Sequence, residues 1–85
     1  TFNLYNYPNP FNNATTISFT LNKEDFVRLL VIDVYGKQVF TLLNKKMDRG
    51  IHRVNFSSEK LSSGIYFYQV STSENIETKV MQMIK

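Results

Sequence analysis

An all-β fold, a two-sheet antiparallel sandwich of about seven short strands, is what this sequence predicts. Three observations predict it. Apolar residues alternate with a period of two along nearly every segment. Turn signals recur roughly every ten residues. No stretch carries the three-and-four spacing of an amphipathic helix. At 85 residues the chain makes a single domain spanning positions 1–85. A chain of this size hides about 60–65% of the surface its unfolded form exposes, so the core is small. An apolar content of 42% is enough to build it. A small barrel fits less well, because the strand lengths are uneven and glycines for tight corners are few.

The elements follow in chain order. The opening YNYPNPF, residues 5–11, holds Pro8 and Pro10. Neither can donate a ladder hydrogen bond, so both belong at the domain entrance or on an edge strand. In ATTISFTL, residues 14–21, Ile17, Phe19 and Leu21 fall on one face, with Thr16, Ser18 and Thr20 on the wet one. FVRLLVIDV, residues 26–34, is apolar on both faces: Val27, Leu29 and Val31 on one, Leu30, Ile32 and Val34 on the other. That pattern belongs to a central strand covered on both sides, or to one whose outer patch meets a neighbour. Its β-branched content and its length favour strand over helix.

YGKQ then reverses the chain, with Gly36 free to take a positive φ, and VFTLLN returns as the hairpin partner. KKMDRG reads as a charged loop ending in Gly50. IHRVNF is the next strand, with His52, Val54 and Phe56 on one face. SSEKLSSG is a long polar connection. GIYFYQVSTS follows, then a turn at Glu74 and Asn75, then ETKVMQMIK as a last strand running to Lys85. Gly64, between a polar loop and an aromatic strand, points to a positive φ or a close backbone approach. Strand parity directs Ile17, Phe19, Leu29, Val31, Val54, Phe56, Tyr66, Tyr68, Met81 and Met83 into the core.

Chemistry is sparse. The net charge is +3 and the basic residues are scattered, with only Lys45 and Lys46 adjacent, so no nucleic-acid face forms. No apolar run approaches the roughly 20 residues of a membrane helix, so a membrane-spanning chain is not expected. No signal peptide opens the chain, which reads as the tail of something larger. The absence of cysteine leaves the redox compartment open. His52 is the only histidine and alternates with Val54 and Phe56, which marks a packed or rim residue rather than a ligand. The acidic residues lie mostly in turns, without calcium-loop spacing. Asp33, just before the YGKQ reversal, is placed to accept turn N–H bonds. GxSxG and a glycine-rich phosphate loop are both absent. Two N-glycosylation sequons, at Asn13 and Asn55, are expected by chance in a chain this rich in Asn, Ser and Thr. Tyr5, Tyr7, Phe11, Tyr35 and Phe40 form either a sugar-stacking platform or core and rim, and the second is the commoner use of aromatics. No catalytic residue, cofactor or metal ligand is expected.

Six phrases nonetheless stand in a telling order: NYPNPFN at 6–12, TTISFTL at 15–21, VRLLVIDVYGKQV at 27–39, the Gly50-Ile51-His52 strand start, LSSGIYFYQV at 61–70 and TKVMQMIK at 78–85. Together they resemble the C-terminal sorting domain of the type IX (Por) secretion system, found on proteins exported by Bacteroidota and related bacteria. The resemblance implies a seven-stranded immunoglobulin-like sandwich behind an N-terminal cargo domain in the same chain. It further implies a periplasmic transit and recognition by an outer-membrane translocon. A sortase then removes the tail, and the cargo is left at the cell surface or secreted.

Carried over by position, the glycine-aromatic signature falls on Ser63, Gly64, Tyr66 and Tyr68, and the Asp-x-x-Gly hairpin on Asp33 and Gly36. The terminal basic–apolar–basic pattern falls on Lys79, Met81, Met83, Ile84 and Lys85. Asn13 stands where proline is common, Phe56 where tryptophan is, and Val80 where a second basic residue is usual. By this reading the last strand, lying on a sheet edge, offers unpaired backbone to a partner. Two other readings compete: a passive immunoglobulin-like spacer or adhesion module, and a carbohydrate-binding module of a secreted glycosidase.

Overall fold

The period-two alternation resolves into seven strands: β1 (Tyr5–Tyr7), β2 (Ala14–Leu21), β3 (Asp25–Ile32), β4 (Gln38–Met47), β5 (Gly50–Ser57), β6 (Gly64–Ser71) and β7 (Ile76–Met83). The structure, a computed structural model, describes residues 1–57 and 59–85; Ser58, in the polar connection, lies outside the described residues. No helix occurs among the described residues. The strands form a three-stranded sheet, β1-β2-β5, and a four-stranded sheet, β4-β3-β6-β7, and all five strand pairings are antiparallel. Pairing β2 with β5, and β3 with β6, sends the chain back and forth between the sheets. That is the arrangement of an immunoglobulin-like sandwich.

Nine of the ten residues that parity directs inward are buried. Val54, the tenth, is half-buried and packs against the same cluster. Leu21 and Val27, which alternation sets on the same faces, are buried with them, but other parts of the core lie beyond the strand pattern. Phe2, Leu4 and Phe11 enter it from the opening segment, and Leu61 from the polar connection. Phe11 meets Phe56 edge-on at 6.3 Å between ring centroids, and Phe40 meets Phe56 at 5.4 Å. Edge-to-face pairs of this kind add about 0.5–1.5 kcal/mol beyond the area they bury.

Several boundaries differ from the sequence expectation, each for a pairing reason. Lys45, Lys46 and Met47 belong to β4 rather than to a loop, because they pair with Val27, Phe26 and Asp25. β4 is an edge strand, so its lysines reach solvent while their backbone stays in the ladder. Register shifts opposite Leu29/Leu30 and Val31/Ile32 let Val39, Phe40, Leu42 and Leu43 all pack on the core. β3 ends at Ile32, and Val34 lies in the turn. The last strand stops at Met83 and does not reach Lys85. Ser18, expected on the wet face, is buried between its cross-strand neighbours Tyr5 and Arg53.

The β3–β4 reversal shows why Asp33 and Gly36 stand where they do. The Asp33 carboxylate Oδ1 accepts the backbone N–H of Tyr35 and of Lys37, both at 2.9 Å. Gly36 donates to the Asp33 carbonyl at 3.1 Å and has φ 84°, the left-handed region where a Cβ is strained.

Gly64 has φ 152°, and a Cβ built on it meets nothing within 4 Å. Its requirement is therefore conformational and not a close approach. Gly64→Val is expected to lower stability by about 1–3 kcal/mol, the usual cost of a side chain in a sparsely populated region. Denaturant unfolding of the two forms measures it. An equal midpoint would show that the backbone relaxes there without cost.

Candidate functional site

The residues singled out near the end of the sequence come from two segments, and the β6–β7 register joins them. Gly64 pairs with Met83, Tyr66 with Met81, and Tyr68 with Lys79, three alternate steps along one antiparallel ladder. Alternate residues share a face, so these pairs lie on the core side. Tyr66, Tyr68, Met81 and Met83 are buried there, while Lys79 reaches solvent at the rim. The ladder is extended past its end by side chains. Ser63 Oγ accepts the Lys85 backbone N–H at 2.9 Å, and the Lys85 ammonium donates to the Glu59 carbonyl at 3.3 Å. Ile84 is exposed beside it. The Asp33–Gly36 turn stands at the same end, since Ile32 pairs with Phe67, three residues into β6.

Most of these side chains have a structural task. The Tyr66 hydroxyl donates to the Ser62 carbonyl at 2.7 Å, four residues back. This is the tyrosine corner that fixes the turn into the equivalent strand of immunoglobulin-like domains. Tyr68 crosses between the sheets toward β1, its hydroxyl within hydrogen-bond reach of the Asn6 backbone amide. Burial pushes its phenol up to about 12, and the nearby Glu77 carboxylate adds to the rise.

β7 is an edge strand, as a strand free to pair with a partner should be, but half of that edge is already occupied. After Pro8 and Pro10, both joined by cis peptide bonds, the chain leaves β1 and lies along β7. Phe11 donates its N–H to the Gln82 carbonyl at 3.0 Å, and the Ile84 N–H donates to the Phe11 carbonyl at 2.9 Å. The Asn9 side chain bonds the same edge twice: Oδ1 accepts the Gln82 N–H at 3.0 Å and Nδ2 donates to the Val80 carbonyl at 3.3 Å. This corrects the expectation of an edge open along its length. From position 80 to 84 its backbone groups are taken by the chain's own opening segment. That segment is itself pinned from the other side. Thr15 Oγ1 donates to the Pro8 carbonyl at 2.8 Å and accepts from Asn6 Nδ2 at 3.1 Å.

Other candidates resolve more simply. His52 lies tilted over Phe19, with ring centroids 5.4 Å apart, and its Nε2 is 2.7 Å from the Asp48 carbonyl. A carbonyl only accepts, so that nitrogen carries the proton, and the ring serves as rim packing. The five-aromatic platform does not assemble: Phe11 is buried, Phe40 packs on Phe56, and Tyr35 stands 91% exposed at the hairpin tip. Tyr5 and Tyr7 alone of the five share an outer face, above Ser18 and Thr16. Among the described residues no three of His, Cys, Asp and Glu gather, and no helix is long and apolar enough to cross a membrane.

Comparison with protein families finds one that matches residues 6–85, the secretion system C-terminal sorting domain. Its span takes in the Asn9–Phe11 segment, the β3–β4 turn and the whole β6–β7 ladder. Comparison with curated proteins finds no match.

Two outcomes test this geometry. Asn9→Ala removes both side-chain bonds to the β7 edge, so a loss of about 1–3 kcal/mol is expected at about 0.5–1.5 kcal/mol per bond. Faster exchange of the Gln82 amide should accompany it, and unchanged exchange would show that Asn9 does not hold the edge. For Tyr68, the folded phenol titrates near 12 and the unfolded one near the ordinary value of about 10. The unfolded chain therefore releases this proton first as pH rises. The Tyr68 contribution is complete below about pH 10 and lost between about 10 and 12. Over that window wild type should lose stability that Tyr68→Phe does not, as followed by denaturant unfolding at stepped pH. Parallel losses in both forms would remove Tyr68 as the cause.

Proposed function

Because the chain belongs to the secretion system C-terminal sorting domain family, the sorting signal of type IX secretion, we propose that residues 1–85 act as one folded recognition module for an N-terminal cargo domain in the same chain. The carrying observation is the family match across 6–85, which runs unbroken through the closing strand. Type IX sorting delivers a cargo to the cell surface or the medium. The module folds in the periplasm and meets an outer-membrane translocon there, and a sortase then separates it from the cargo. It performs no catalysis of its own.

Within the module, recognition falls to the end of the sandwich where β6 begins and β7 finishes. Gly64, Tyr66, Tyr68, Met81 and Met83 shape that end from within, and Ser63 ties the chain end to it from the surface. Lys79, Ile84 and Lys85 are its exposed features. Asp33 and Gly36 hold the neighbouring turn. The two lysines supply positive charge that orients an approaching partner, since long-range charge acts on encounter more than on final affinity.

A cargo fusion in a type IX-competent host tests this. Deleting residues 80–85 is expected to abolish delivery, measured as the fraction of reporter at the surface or in the medium against that held in the periplasm. That truncation also takes Met81 and Met83 out of the core, so a second variant separates fold from signal. Lys79→Ala with Lys85→Ala touches exposed side chains and should leave the melting temperature near wild type while delivery falls. Delivery of the truncated fusion at the intact level would leave the passive spacer as the better account.

A further inference from the structure

We propose that the outer face of the four-stranded sheet is a docking surface for a protein partner whose own contact patch is apolar and rimmed by carboxylates. The inference rests on the sorting reading and says where on the module that contact is made.

The residues that face away from the core on β3, β6 and β7 are not those of an ordinary wet surface. Ile32 pairs with Phe67, and Phe67 with Val80, so an apolar row crosses three adjacent strands. Leu30 stands beside it, buried to 3% exposure although it lies outside the interior cluster. Ile65 and Val80 are 39% and 49% exposed, and with Pro10 they line a shallow hollow of about 280 Å³. A contiguous patch of this kind on a small domain marks an interaction site more often than chance exposure does. Val80 completes the row, at the position where the sequence resemblance leads one to expect a basic residue.

Charge selects the occupant. On the outward positions of all four strands the charged residues are Arg28 and Lys46, and no carboxylate accompanies them. Lys46 pairs at 3.5 Å with Glu24 from the preceding turn. Arg28 has no carboxylate within 4.0 Å among the described residues. A second copy of the chain would present the same sign to these cations, whereas a carboxylate rim would pair them. The β7 backbone from 80 to 84 is taken by Asn9 and Phe11, so a partner there must read side chains on the face and not add a strand to the edge.

The test uses the cargo fusion with three variants, each checked by thermal melting. Ile65→Glu with Val80→Glu sets like charge against the partner's rim. The expected result is about a tenfold fall in surface delivery, as for a like-charge clash at a contact, with melting unchanged. Ile65→Lys with Val80→Lys breaks the apolar row equally but attracts the rim, so its delivery should fall less than that of the glutamate pair. Ile51→Glu, on the outer face of the other sheet, should be neutral. Normal delivery of the double glutamate variant, or equal damage from the lysine and glutamate pairs, would overturn the proposal. So would sedimentation of the wild-type domain as a dimer that the glutamates dissolve, because the face would then belong to a second copy. Failure of the unmodified fusion to be delivered would instead sink the sorting reading itself.

Discussion

The bonds between Phe11 and the backbone of Gln82 and Ile84 are what the rest of this sandwich depends on. β1 has only three residues in its sheet, too few to close the side of the molecule where β7 lies exposed. By leaving β1 at the prolines and running beside β7, the opening segment serves both sheets in turn. One stretch of chain thus pairs with β2 and then with β7, in parallel at Phe11 and Met83. The Phe11 ring, driven into the core against Phe56, anchors the crossing from beneath. An edge left unpaired there would expose ladder groups and the apolar interior together, which is the hazard an edge strand always carries.

The residues that resemblance marks as a sorting signature turn out to be largely the fold itself. Tyr66 closes the corner into β6, Tyr68 spans the gap to β1, and Met81 and Met83 fill the core. The proposed recognition surface therefore cannot be separated cleanly from stability, because changing its strongest sequence marks changes the scaffold. The side chains free to carry information are the ones that stand outward from the same ladder. Lys79 and Ile84 are among them, with Val80 and Ile65 on the sheet face.

Much of the fold was legible because side-chain direction in a strand follows parity, and parity needs only the local order of residues. Ile17, Phe19, Leu29 and Val31 could be placed inside on that ground alone. Phe2, Leu4 and Phe11 could not. They reach the core from a segment whose one short strand shows no sustained alternation, and whose direction is set by long-range bonds. The lysines of β4 misled for a related reason: charge suggests a loop, yet on an edge strand a charged side chain costs the ladder nothing. The site was half legible. Its residues were found through resemblance to a family, but register alone brings Gly64 opposite Met83 and Tyr68 opposite Lys79. Register is a property of the folded sheet and not of either segment.

The span between Asn9 and Val80 is 71 residues, nearly the whole domain. On a ribosome the opening segment emerges first; β2 can pair with β1 early, but Asn9 and Phe11 have no edge to bind until residues 80–84 have been made. The sandwich therefore cannot be sealed until its seventh strand has been made. Any chain broken off before those residues carries an open side and an unclaimed Phe11. The fold is a whole only once its opening segment and its last strand are both present, so it is complete all at once.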